Sequence, residues 1–165
     1  MTPAADVGGG AGPSARHAGL RRLTLAVGLL VLAQIALGMV VNLYVVVPSR
    51  HPGSDPAEYF SGSFRSVAWA VAHGPAPLVA HVILGLALGA FALILAVRSV
   101  QARAGWPAFT SVLAALLVIG AGFNGASFLD FSGPTLSSLL MALVALGALA
   151  SYLVGGYLLG APERR

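Results

Sequence analysis

The chain has 165 residues, 58% of them apolar and only 8% charged, with a net charge of +4. A soluble domain carries roughly 25% charged residues, so this chain lacks the charge to cover a surface in water, and its length suits one domain. All nine basic residues are arginine, scattered at segment ends with no interleaved aromatics, which argues against a nucleic-acid partner; the absence of cysteine excludes disulfides, thiolate ligands and a thiol nucleophile.

Residues 1–19 are rich in Ala, Gly and Pro and read as a disordered tail. Arg16, His17, Arg21 and Arg22 form a basic collar at its end. The first apolar run, 23–47, has no charge and is long enough to cross a hydrocarbon core of about 30 Å with some tilt. It is too long for a signal peptide and has no small-x-small cleavage site before Pro48. Residues 48–76 are the only long polar connection, and the run Ser49-Arg50-His51-Pro52-Gly53-Ser54-Asp55-Pro56 is turn and loop chemistry. Ser63 to Gly74 is compatible with a short amphipathic helix at the interface, with Tyr59, Phe60 and Trp69 at headgroup level. Pro75 and Pro77 end that segment and open the second span, 77–97. A linker over 99–105 leads to a third span at 106–128, a turn at 129–134 and a fourth span at 135–159. Residues 162–165 form a short C-terminal tail.

The expected fold is therefore all-α: an antiparallel four-transmembrane-helix bundle over 20–161, with lipid as its principal partner. Arg16, Arg21, Arg22, Arg98, Arg103, Arg164 and Arg165 fall on one side of the membrane, and Arg50 and Arg65 on the other. The positive-inside rule then puts both termini in the cytoplasm and the 48–76 loop outside the cell (inner) membrane.

Polar side chains are costly inside a span, so the few present point to where a site would lie. Gln34 and Asn42 lie on the first span, His81 on the second, Asn124 and Ser127 on the third with Asp130 just beyond, and Ser137 and Ser138 open the fourth. Counting about 1.5 Å per residue puts Asn42, His81 and Asn124 in one layer roughly 6–8 Å below the outer helix ends, with Gln34 deeper. Gln34, Gly38 and Asn42 share one helix face, as do His81, Gly85 and Gly89, and Gly120 with Asn124. Gly147, Ser151 and Gly155 make a small-residue stripe suited to close packing.

Two readings of His81 stay open: a neutral ring bonded to Asn42 or Asn124, or a cofactor ligand or proton carrier together with His51 and His73 from the loop. Asp130 could pair with Arg50 or Arg65 or cap the fourth helix. No metalloprotease, serine-hydrolase or phosphate-loop motif occurs.

The segments His81-Val-Ile-Leu-Gly-Leu-Ala-Leu-Gly and Leu32-Ala-Gln-Ile-Ala-Leu-Gly-Met resemble, distantly, one four-helix half of the haem A synthase family and small cytochrome b-type bundles. That resemblance implies a haem (haem b) site near one membrane face, with His81 as the carried-over ligand. Val41-Asn42-Leu43-Tyr44, His51-Pro52-Gly53 and Gly122-Phe123-Asn124-Gly125-Ala126-Ser127-Phe128 resemble small four-helix bacterial membrane proteins, which implies a fold and a compartment but no reaction. Three functions follow as expectations: a non-catalytic accessory or assembly subunit, working with other membrane subunits or as a homo-oligomer; a haem-binding or redox module using His81; and a small proton-linked transporter.

Overall fold

A computed structural model describes residues 13–131 and 133–161. The regular structure of the described residues is all helix, in five helices: α1 (Pro13–Tyr44), α2 (Tyr59–His73), α3 (Ala76–Gln101), α4 (Trp106–Asp130) and α5 (Thr135–Gly160). α1, α3, α4 and α5 are each long and apolar enough to cross a membrane. At about 1.5 Å per residue, the 26 residues of α3 span about 39 Å, more than a hydrocarbon core of about 30 Å.

The four long helices form an antiparallel ring in chain order. α1 packs on α3, α3 on α4, α4 on α5, and α5 back on α1. α2 lies across one end, against α3 and α4. We refer to this as the cap end, and to the opposite end, where Arg16, Arg21, Arg22, Arg98 and Arg103 gather, as the arginine end.

Only 22–28% of the most apolar window of each long helix is buried inside the protein. Leucines such as Leu29, Leu86, Leu116 and Leu153 point outward, each about 60% exposed or more. Such a surface needs an apolar solvent. What is buried is mostly small. Ala92, Ala114, Ala115 and Ala148 pack with Val27, Val31, Leu95 and Tyr152 toward the arginine end. A smaller cluster of Val41, Val47, Ala70, Leu78, Phe128 and Leu129 joins α2 to the bundle at the cap end. Small side chains let backbones approach where lipid and protein interior are equally apolar. The stripe on α5 is used in this way: Cβ atoms at Gly147 and Gly155 would stand 3.4 Å from Leu117 Cδ1 and 2.5 Å from Thr110 Oγ1, both on α4.

Several boundaries differ from the sequence expectation, and α4 runs on to Asp130, which is therefore helical and not in the turn. α1 begins at Pro13, so residues 13–19 are helical rather than part of a tail. Proline fits a first helical turn, and Ala15, Arg16 and Ala18 are good helix formers. Residues 1–12 and 162–165, the rest of the expected tails, lie outside the described residues. α1 stops at Tyr44, three residues before the apolar run ends, and Val47 turns inward to the cap-end cluster. α3 runs on to Gln101, so Ser99 is helical and fully buried, bonded at 3.2 Å to Ser111 of α4. The arginine end is thus closely packed but not purely apolar. Thr24, Thr110 and Ser111 are also buried there, each donating to a carbonyl of its own helix or, for Thr110 and Ser111, of Pro107 in the first turn of α4.

The expected interfacial helix is present but begins earlier, at Tyr59. It buries Gly62, Ser63, Ser66 and Ala70 and turns Phe60 and Phe64 outward. This inverts the pattern of a helix in water, and suits one lying where headgroups meet hydrocarbon.

Candidate functional site

The polar residues of the spans form three ties between neighbouring helices, and a buried acid lies under the cap.

The first tie joins α1 to α3. Gln34 Nε2 donates to the His81 backbone carbonyl at 3.1 Å and lies 3.2 Å from His81 Nε2. An amide nitrogen has two hydrogens and no lone pair to offer, so one hydrogen goes to the carbonyl and the other to the ring. His81 Nε2 therefore accepts, and its proton sits on Nδ1. Flipping the amide would set its oxygen against the carbonyl oxygen of residue 81, so the backbone fixes both the amide orientation and the ring tautomer. Glycines make the approach possible. A Cβ on Gly38 would stand 3.0 Å from His81 Cε1, and one on Gly85 would stand 2.9 Å from Gln34 Nε2. His81 Nδ1 and Gln34 Oε1 are buried without a protein partner, one a donor and the other an acceptor. The shared face of Gln34 and Gly38 is thus as expected, but the partner of His81 is Gln34, not Asn42 or Asn124.

The second and third ties hold the first turn of α5 from both sides. Asn124 Nδ2 donates to the Ser137 carbonyl at 2.9 Å, and Ser137 Oγ donates back to Asn124 Oδ1 at 2.6 Å. Ser138, the next residue, points to the other neighbour and donates to Asn42 Oδ1 at 2.9 Å. Consecutive helical residues diverge by about 100°, so one dipeptide reaches both α4 and α1.

Under the cap, Asp130 is 1% exposed. Its Oδ2 accepts from Ser63 Oγ at 2.9 Å, its backbone carbonyl accepts from the Asp55 N–H at 3.0 Å, and its Oδ1 has no partner. Neither Arg50 nor Arg65 pairs with it: Arg50 is exposed and Arg65 Nε donates to the Ser61 carbonyl at 3.2 Å. Nor does it cap α5, whose N-cap residue is Pro134. Tyr59 adds a further clamp. Its hydroxyl donates to the Phe123 carbonyl at 2.8 Å and stands 2.9 Å from Ser127 Oγ. With the one phenolic hydrogen committed, Ser127 is the donor in the second contact. The loop is pressed onto α2 at Gly53, whose φ of 100° suits glycine and whose missing side chain leaves room for Ser66 Oγ.

The three outer histidines have different surroundings. The His51 ring stacks on Trp69 at 4.3 Å, and its two nitrogens lie 3.2 Å and 3.1 Å from the carbonyls of Pro52 and Leu129. His73 is exposed at the end of α2. His81 is held between α1 and α3 by Gln34. Among the described residues no group of three His, Cys, Asp or Glu side chains could hold a metal ion. For a haem, the span offers one imidazole whose Nε2 is already bonded and whose ring lies against Gly38, so ligation through Nε2 requires Gln34 to leave.

Sequence reasoning missed Ser63, Tyr59 and Gly53 as structural partners of the polar residues. The aromatic and glycine content of the loop signalled an interface and a turn, but not which span residues they would meet. The chain matches no family model, no curated protein and no solved structure, and its four apolar helices make it compatible with a multi-pass membrane protein.

Proposed function

We propose that this chain is a non-catalytic accessory or assembly subunit of a membrane complex, with its cap end outside the cell and both termini in the cytoplasm. One observation carries the reading: Gln34, His81, Asn42, Asn124, Ser137 and Ser138 are all engaged in tying one long helix to the next. Such ties fix a single arrangement of four helices and leave broad apolar outer faces for lipid or for other spans. The arginine distribution supports the orientation. The test is extraction in a mild detergent followed by native mass measurement. The chain should be recovered with other membrane subunits or with copies of itself; recovery as a lone monomer overturns the reading.

A second reading rests on His81 itself, an imidazole held between two long helices. A haem or redox role through this ring calls for Gln34 to swing away and release Nε2. A Soret band in the protein expressed with ample haem, lost in His81→Ala, would establish this reading in place of the first. A colourless protein removes it.

A further inference from the structure

At the arginine end a groove of about 650 Å³ runs between α1 and α3, within the roughly 300–1,000 Å³ of small-molecule sites. Three arginines line it: Arg16 and Arg22 from α1, and Arg98 from the last turn of α3. Gln101 adds a further polar group, and no acidic side chain is among the described lining residues. Beneath the charges the lining turns apolar, with Leu20, Leu23 and Ala26 following Arg16 along α1. Arg16, Leu20, Leu23 and Ala26 are spaced by three or four residues and share a helix face. Arg22 directly precedes the charge-free apolar run of α1, which sets the guanidinium groups at headgroup level.

We propose that this groove binds the headgroup of an anionic phospholipid, the phosphate held by Arg22 and Arg98 with Arg16 at the mouth, and the acyl chains descending along Leu23 and Ala26. Guanidinium forks suit phosphate oxygens, and basic grooves between spanning helices suit anionic headgroups. The apolar floor is what selects a lipid over a free phosphate, because it faces the hydrocarbon and has no use for a soluble anion. Arg21, in the same collar, is differently placed. Its guanidinium lies against Gly160 at the end of α5, where a Cβ would come within 3.0 Å of Cζ. This collar residue interacts with a helix C-terminus instead of lining the groove.

The site stands independently of the subunit reading, since it needs only insertion in a bilayer. The test is native mass spectrometry of the purified full chain in detergent with equal phosphatidylglycerol and phosphatidylcholine. Phosphatidylglycerol should be retained preferentially. Arg22→Gln and Arg98→Gln should each weaken its retention about fivefold, and the triple variant with Arg16→Gln on the order of a hundredfold. Arg98→Lys should keep most of the preference, which separates loss of charge from misfolding, and Arg50→Gln with Arg65→Gln at the cap end should leave it unchanged. Equal retention of the two lipids overturns the assignment, as does an equal loss in the cap-end control. Glycerol 3-phosphate competing as well as the lipid would make this a soluble-anion site and overturn it too. So would at least tenfold tighter lipid binding by a chain ending at Ala161, which would make residues 162–165 the groove's own occupant.

Discussion

The tie between Gln34 and His81 can be weighed by a double-mutant cycle. Gln34→Leu removes two donated bonds, one to the ring at 3.2 Å and one to the backbone carbonyl at 3.1 Å. Interhelical hydrogen bonds in membrane bundles average about 0.6 kcal/mol and reach about 1.7. The single variant should therefore lose roughly 1 kcal/mol, part of the loss being offset because the unpartnered Oε1 also disappears. His81→Leu keeps the carbonyl that Gln34 bonds, so the coupling between the two positions isolates the ring bond alone. It should be about 0.6 kcal/mol, close to a threefold change in the folding equilibrium. Equilibrium unfolding in mixed micelles, with SDS titrated into a mild detergent and helicity as the signal, measures all four corners. The control cycle is Asn42→Leu with His81→Leu, which should couple by no more than about 0.3 kcal/mol. Asn42 is engaged with Ser138 at 2.9 Å and does not bond the ring. Absent coupling in the first cycle together with clear coupling in the second would refute the pairing.

Ser63→Ala strips the buried Asp130 side chain of the one side-chain partner it has among the described residues and should destabilise the protein by about 1–3 kcal/mol, whereas Asp130→Asn is an isostere that still accepts from Ser63 and should cost less; thermal unfolding in detergent decides both, and a silent Ser63→Ala contradicts the burial argument. Gly53→Ala places a Cβ at a φ of 100° against Ser66 Oγ and the N–H of Ser66, at a cost of roughly 1–3 kcal/mol confined to the cap. Limited proteolysis should cut the 45–58 segment faster in that variant while the four long helices survive, and unchanged cutting counts against it. Because the chain has no cysteine, single substitutions report topology without background: Ser61→Cys should react with a membrane-impermeant maleimide on intact cells and Gln101→Cys only after lysis, the reverse pattern inverting the assigned orientation. Tyr152 is 2% exposed with an unpartnered hydroxyl, so Tyr152→Phe should be neutral or stabilising by up to about 1 kcal/mol in the same unfolding assay, and a clear destabilisation would reveal a partner for that hydroxyl.

The four crossings were legible because lipid makes composition speak for burial: a charge-free run of some twenty residues has few other uses. Helix faces were legible for the same reason that glycine stripes are informative in membranes. Gly38 faces His81, and Gly147 and Gly155 face α4, as four-residue spacing implies. The start of α1 was not legible, because an Ala- and Gly-rich tail gives no apolar period to read, although Pro13 and the residues after it favour a helical turn once α1 is nucleated. Charge at Arg98 and Arg103 brackets Ser99 and reads as a linker, yet a serine that donates within a bundle is cheap to bury.

The site was harder to read because pairing depends on the relative height of two helices, and height depends on where each helix ends. With α1 ending at Val47, Asn42 lies five residues inside it, level with His81. With α1 ending at Tyr44, Asn42 lies only two residues inside, a shift of about 4.5 Å toward the cap. That places it beside Ser138 in the first turn of α5 and leaves Gln34 and Gly38, on the same face, to meet His81. An error of less than one helical turn thus exchanges the partner of His81. The backbone term makes the observed register self-consistent. Gln34 bonds both the carbonyl and the ring of residue 81, so sliding α1 by a turn forfeits two bonds at once and brings Leu37 or Gly38 opposite a ring nitrogen that then has nothing to accept from. Among the described hydrogen bonds this pair is the one that joins α1 to α3, and it favours one register of the two helices.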